Sequence, residues 1–132
     1  MISASESETY AIAGELARRV RPGDTILLAG VLGAGKTTFV RGFVEALGWR
    51  GAVRSPTFNL IQTFDTKPPV MHADLYRLKS ATGLGIEDYL DDHVCLIEWP
   101  DRLAGLVDPT RCFRVSMEFH NSGRMINITE PD

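Results

Sequence analysis

The stretch Gly30-Val31-Leu32-Gly33-Ala34-Gly35-Lys36-Thr37 decides the fold. It meets the phosphate-binding loop pattern G-x-x-x-x-G-K-[ST] at every fixed position. A phosphate tail carries several negative charges and has to be wrapped by backbone N–H groups. Glycines are needed wherever a Cβ would block that approach. Lys36 can then reach the β- and γ-phosphates as a point charge, and the Thr37 hydroxyl is placed to ligate Mg²⁺. A helix that starts here presents its positive dipole end to the same anion.

The flanks supply the context the motif requires. Thr25-Ile26-Leu27-Leu28-Ala29 is a short apolar run and reads as a buried strand. Residues 38–47 carry apolar side chains at helical spacing, and Gly48 is placed to end that helix.

The chain has 132 residues, which fits a single domain spanning 1–132. At 44% hydrophobic and 23% charged, it has enough apolar material for a globular core. A net charge of −3 argues against a protein held to nucleic acid by bulk charge, while leaving a local basic patch open. The chain has no membrane-length apolar run. Met1-Ile2-Ser3-Ala4-Ser5-Glu6 lacks the basic region and apolar core of a signal peptide, so a cytoplasmic protein is expected. Cys95 and Cys112 sit in apolar runs without C-x-x-C spacing and read as packed core thiols of a reducing compartment.

Working toward the N-terminus, residues 5–20 read as a helix with Ile12, Ala13, Leu16, Ala17 and Val20 on one face. Ser5 with Glu8, or equally Ser3 with Glu6, makes a capping box. On propensity alone Glu6 and Thr9 are ordinary first-turn residues. Arg21-Pro22-Gly23-Asp24 turns the chain into the first long strand.

Toward the C-terminus, residues 58–64 alternate as a strand with Phe58, Leu60 and Phe64 on the buried face. Before them, Ser55-Pro56-Thr57 reads either as a switch that senses the γ-phosphate and Mg²⁺ or as a plain turn. Residues 65–69 form a turn, making a hairpin with 70–78. Asp74 then lies in or at the end of the second strand. Its carboxylate either serves Mg²⁺ or an attacking water, or pairs with Arg77. His72 shares its face and reads as mainly structural. A short helical turn is expected at 85–90. Val94-Cys95-Leu96-Ile97 with Glu98 at its tip resembles a Walker B strand, with Glu in the usual place of Asp. Trp99 either packs in the core or walls the nucleotide site.

Asp101 caps a short helix over 101–107. Phe113, Val115, Met117 and Phe119 then alternate as the buried face of a strand, residues 120–124 turn, and 125–129 return. Few helices and a strand-rich second half predict an α/β fold: a P-loop NTPase-like three-layer sandwich with a mixed, parallel plus antiparallel, sheet.

Four separated blocks together resemble the bacterial TsaE (YjeE) family. They are Leu32-Gly33-Ala34-Gly35-Lys36-Thr37-Thr38-Phe39, Ser55-Pro56-Thr57-Phe58, His72-Ala73-Asp74-Leu75-Tyr76-Arg77-Leu78 and Ile97-Glu98-Trp99-Pro100. The first says only phosphate loop; the other three, in this order, are far more specific. The resemblance implies an ATPase needed to make threonylcarbamoyladenosine in tRNA. It would act with the transferase subunit TsaD and its companion TsaB and reach tRNA indirectly, through that complex. Carried onto this chain, Leu32, Gly33, Ala34, Gly35, Lys36, Thr37 and Thr38 would hold the ATP phosphates. Thr37 and Glu98 would bind Mg²⁺, and Asp74 would serve hydrolysis on the γ-phosphate side. Ser55, Pro56 and Thr57 would be the switch, and Trp99 would lie near the nucleotide. Contacts beyond the phosphates would map to Glu6, Thr9, Gly123 and Arg124.

The chain departs from the family pattern at Val31, commonly an acid, and at Ala73, usually an aromatic. Neither removes a fixed loop position. No arginine is clearly placed as a finger, so the expectation is weak ATP hydrolysis alone and stimulation in the complex. Two rivals share the loop: a small-molecule kinase and a nucleotide-binding module that does not hydrolyse.

Overall fold

Strand β2 (Thr25–Gly30) is buried along most of its length because it has a strand on each side. The computed structural model describes residues 1–30, 34–53, 61–75, 85–98 and 107–131. Before β2 come β1 (Ile2–Ser3) and helix α1 (Glu6–Ala17). After it come helix α2 (Lys36–Ala46), β3 (Ile61–Phe64), β4 (Val70–Asp74), β5 (Val94–Glu98), β6 (Cys112–His120) and β7 (Gly123–Thr129). Among the described residues the strands form one seven-stranded sheet, in the order β1-β7-β6-β2-β5-β4-β3. The β2–β6, β2–β5 and β4–β5 pairs are parallel, and both margins are antiparallel. This is the expected mixed α/β sheet.

The period-2 alternation of the central strands sorts side chains onto two faces. Ile26, Leu28, Leu96 and Val115 pack with Leu16 of α1 and with Phe39, Val40 and Phe43 of α2. Leu27, Met71, Cys95 and Ile97 pack on the other face with Ile86, and with the half-buried Tyr89, Leu90 and Val107. Both helices therefore cover one face, and a short 3₁₀ turn at Ile86–Asp88 helps cover the other. Among the described residues no helix is long and apolar enough to cross a membrane.

Several local expectations meet the structure directly. The Ser5 side chain accepts the Glu8 N–H at 3.2 Å, so Ser5 caps α1 and the Ser3–Glu6 alternative does not; the Glu8 carboxylate reaches back one residue further than in a full capping box, to the Ala4 N–H at 2.5 Å. Helix α1 ends at Ala17, short of the expected Val20. Helix α2 begins at Lys36, inside the loop motif, and Gly48 follows its C-cap with φ +103°. The 58–64 strand is seen over Ile61–Phe64, and the turn at 65–69 joins it to β4 as a hairpin. Residues 58–60, and with them Phe58 and Leu60, lie outside the described residues, as do residues 101–106 of the helix expected at 101–107.

Two departures have physical reasons. Phe119 is 54% exposed although Phe113, Val115 and Met117 on the same alternation are buried. The β6–β7 hairpin runs past the helices there, so Phe119 has no core to enter. Instead the Arg124 guanidinium sits over its ring, 4.4 Å from the centroid. Strand β1 is too short to leave a period in the sequence, and only its pairing with Arg124 and Met125 of β7 reveals it.

The helix pair is set by glycine at the crossing. A Cβ on Gly42 of α2 would lie 2.7 Å from the Tyr10 Cα of α1. Gly42→Ala gains about 1 kcal/mol of helix propensity, yet forces backbone apart at a cost of about 1–3 kcal/mol. The variant is therefore expected to melt below wild type, by a few degrees in a thermal scan followed by circular dichroism.

Both cysteines are free and buried, as read from the sequence. Burial, with the Asp92 carboxylate nearby, pushes the Cys95 thiol up to about 12 from 9.0. Its native pKa is raised, so its contribution is fully present below pH 9.0 and drains away as pH rises toward about 12. The urea midpoint should consequently fall more between about pH 8 and pH 10.5 in wild type than in Cys95→Ala.

Candidate functional site

The two helices begin in opposite ways. Helix α1 is capped by its own Ser5. Helix α2 has Gly35 at its N-cap, in the left-handed region at φ +102°, and no side chain caps it. A helix start without a side-chain cap is what an anion site requires. The chain enters the loop through Gly30, at φ +154°, where a Cβ would stand 2.4 Å from the Met117 carbonyl oxygen. Only glycine fits against the β6 backbone there. Lys36 is largely buried, and its Nζ donates to the Gly30 carbonyl at 2.5 Å, folding the side chain back over the loop.

The acids come from neighbouring strands of the same parallel set. Leu28 of β2 pairs with Glu98 of β5, and Glu98 pairs with Asp74 of β4. Asp74 and Glu98 are each the last residue of their strands. They end level with Leu28, two residues before β2 ends at Gly30, so Lys36, Thr37, Asp74 and Glu98 lie toward the same end of the sheet. Ligands of open α/β sheets bind at this end.

Glu98 is not loose in this setting. Its Oε2 lies 2.5 Å from the Nε2 of His72, with side-chain exposures of 4% and 0%. A carboxylate can only accept, so the ring N–H donates. His72 sits two pairs before Asp74 and reaches diagonally across the β4–β5 ladder. Its other ring nitrogen, Nδ1, is buried and has no partner among the described residues. The sequence put His72 on the face of Asp74 but gave no sign of this bond, because the bond depends on the register between two strands.

Beside the loop lies a cleft of about 390 Å³. The N-terminal segment contributes Ser3, Ser5, Glu6 and Thr9, the loop and α2 contribute Gly35 and Thr38, and the β6–β7 turn contributes Ser122, Gly123 and Arg124. Glu6, Thr9, Gly123 and Arg124, far apart in sequence, are thus brought to one place. Strand β1 does the gathering. Ser3 Oγ and Thr9 Oγ1 are 2.7 Å apart and buried, which ties β1 to α1. A Cβ on Gly123 would lie 2.4 Å from the Ser3 carbonyl oxygen, so glycine lets β1 and β7 approach. Arg124 Nε donates to the Ala34 carbonyl at 3.1 Å and fastens the hairpin to the glycine-rich loop. Ser3, Ser5 and Ser122 were missed in the sequence because nothing local marks a residue that lines a cleft built by a strand this short. Leu32, Gly33, Ser55, Pro56, Thr57 and Trp99 lie outside the described residues, as does Val31.

The donor set suits a hard cation: a Thr37 hydroxyl and the Asp74 and Glu98 carboxylates offer only oxygen. Among the described residues no group of three or more His, Cys, Asp or Glu side chains could cage a metal.

The buried pair can be measured without any ligand. Glu98→Ala should lower the unfolding free energy by about 3 kcal/mol, because it strands a buried ring N–H. Adding His72→Ala should cost much less than the sum of the singles, leaving a coupling of about 1–3 kcal/mol in urea denaturation. Additive losses would mean that the two side chains do not act as a pair.

Residues 3–126 match the family model described as "Threonylcarbamoyl adenosine biosynthesis protein TsaE". A Bacillus subtilis protein named tRNA threonylcarbamoyladenosine biosynthesis protein TsaE is 46% identical over 70% of this chain and 60% of its own length. A protein of the same name from Rickettsia conorii is 40% identical over 94% of this chain and 74% of its own. The crystal structure of Bacillus subtilis YdiB superposes with a TM-score of 0.84 at 34% identity, covering 100% of this chain and 84% of that one. By sequence and by fold, the chain belongs to the TsaE family.

Proposed function

We propose that this chain is the ATP-binding and ATP-hydrolysing component of the machinery that makes threonylcarbamoyladenosine in tRNA. It would act in the cytoplasm with TsaD and TsaB and meet tRNA through them. The observation that carries the reading is the convergence of Lys36, Thr37, Asp74 and Glu98 at one end of the parallel strands. Beside them α2 begins with no side chain to cap it.

The residues divide the work of phosphoryl transfer. The uncapped amides of α2 and the Lys36 ammonium hold the phosphate tail and offset charge that builds on the leaving oxygen. To do so, Lys36 exchanges its bond to the Gly30 carbonyl for one to phosphate. Thr37 and Glu98 would hold Mg²⁺, which when bound neutralises the β- and γ-phosphate oxygens. Asp74 orients the attacking water or takes its proton. The cleft lined by Thr9, Thr38 and Arg124 lies next to the loop and offers room for the nucleoside.

The test is phosphate release from ATP with Mg²⁺, with and without TsaD and TsaB. Wild type should be slow alone and stimulated by the pair. Asp74→Ala should keep nucleotide affinity within about threefold and lose about 10²-fold or more of the stimulated rate. Lys36→Ala should lose the binding itself. Equal rates with and without partners, unchanged by Asp74→Ala, would remove the ATPase reading. Phosphate appearing on a metabolite instead of in solution would mark a kinase.

A further inference from the structure

We propose that His72 is a positioning residue of this site: it clamps one oxygen of the Glu98 carboxylate and leaves the other for the hydrated cation. The proposal deepens the reading of the site as a holder of Mg²⁺ and nucleotide, and rests on it.

Packing alone gives no reason for a histidine here. The position lies inside the sheet, fully buried, on the face where Val70 and Leu96 pack with the apolar cluster. An aliphatic side chain would fill it without burying a polar group. Histidine instead brings two ring nitrogens into that setting, and one of them, Nδ1, finds no partner among the described residues. Buried polar groups in native proteins are usually satisfied, so an open nitrogen beside a candidate site asks for an explanation.

The bond it does make supplies one. A carboxylate at the end of a strand can turn about its terminal torsion, which is broad and nearly unrestrained. The 2.5 Å contact from Nε2 commits Oε2 and fixes the plane of the group. Oε1 remains for the cation or its water. Oxygen ligands of metals are commonly held this way by outer hydrogen bonds, and loss of such a partner costs about 10–100-fold in metal affinity. Asp74, two residues along the same strand, takes its level from the same ladder, so one strand carries both an acid of the site and the clamp on the other acid.

The experiment follows Mg²⁺ affinity, not turnover. A fluorescent ATP analogue is bound to the full chain and Mg²⁺ is titrated in, with binding in excess chelator as the metal-free reference. Thermal melting without nucleotide reports folding separately. His72→Gln places an amide N–H near the position of Nε2, whereas His72→Asn places one near Nδ1. Wild type and His72→Gln should reach half-saturation at similar Mg²⁺. His72→Asn and His72→Ala should need about 10–100-fold more, with metal-free binding unchanged. If His72→Ala fails to fold, the Gln and Asn pair carries the comparison. Variants that melt lower but keep the wild-type Mg²⁺ dependence would overturn the role and leave His72 as core. So would rescue by Asn but not Gln. A wild-type chain that binds no nucleotide, or binds it without regard to Mg²⁺, would take down the nucleotide reading and this role together.

Discussion

The site depends on two parallel strands that stop at one level beside a third, β2, that runs two residues further into the loop. Leu28 pairs with Glu98 and Glu98 with Asp74, so β2, β5 and β4 deliver a loop and two acids to the same edge. Parallel pairing makes this possible, because it turns the carboxyl ends of consecutive neighbours the same way. A slip of one residue in β4 against β5 would send His72 and Asp74 to the opposite face, away from Glu98. Val70 and Leu96 on the helix side and Met71, Ala73, Cys95 and Ile97 on the other hold that register by burial. The chemistry is thus guarded by residues that take no part in it.

The loop end combines constraint with opening. Gly30 and Gly35 occupy backbone conformations that other residues rarely adopt, and Gly30 also touches the β6 backbone. Arg124 reaches from the far hairpin to the Ala34 carbonyl. The two described ends of the loop are therefore held from several sides. The first amides of α2, by contrast, are left without a side-chain cap, and Lys36 rests on a carbonyl of its own loop.

What could be read from the sequence follows from how local each signal is. The phosphate loop, the β5 run ending in Glu98 and the β3–β4 hairpin are contiguous patterns, and they were legible as strand, helix or turn. The gathering of Glu6, Thr9, Gly123 and Arg124 was suggested only through family resemblance. It is produced by β1, two residues long, which no periodicity can announce. The His72–Glu98 bond depends on a register between strands that are 26 residues apart in sequence. Phe119 follows the alternation faithfully and is still exposed, because alternation tells which face a residue takes and not whether anything covers that face.

The contact between Gly42 and Tyr10 has a reach beyond stability. Helix α1 carries Glu6 and Thr9, and helix α2 carries Lys36, Thr37 and Thr38. With backbone against backbone at the crossing, and Gly14 seated against Ala46 nearby, neither helix can slide without the other. The span from the Thr9 wall to the lysine is then a ruler cut by helix packing. A ligand that bridges the two is selected by length before any of its atoms is recognised by kind.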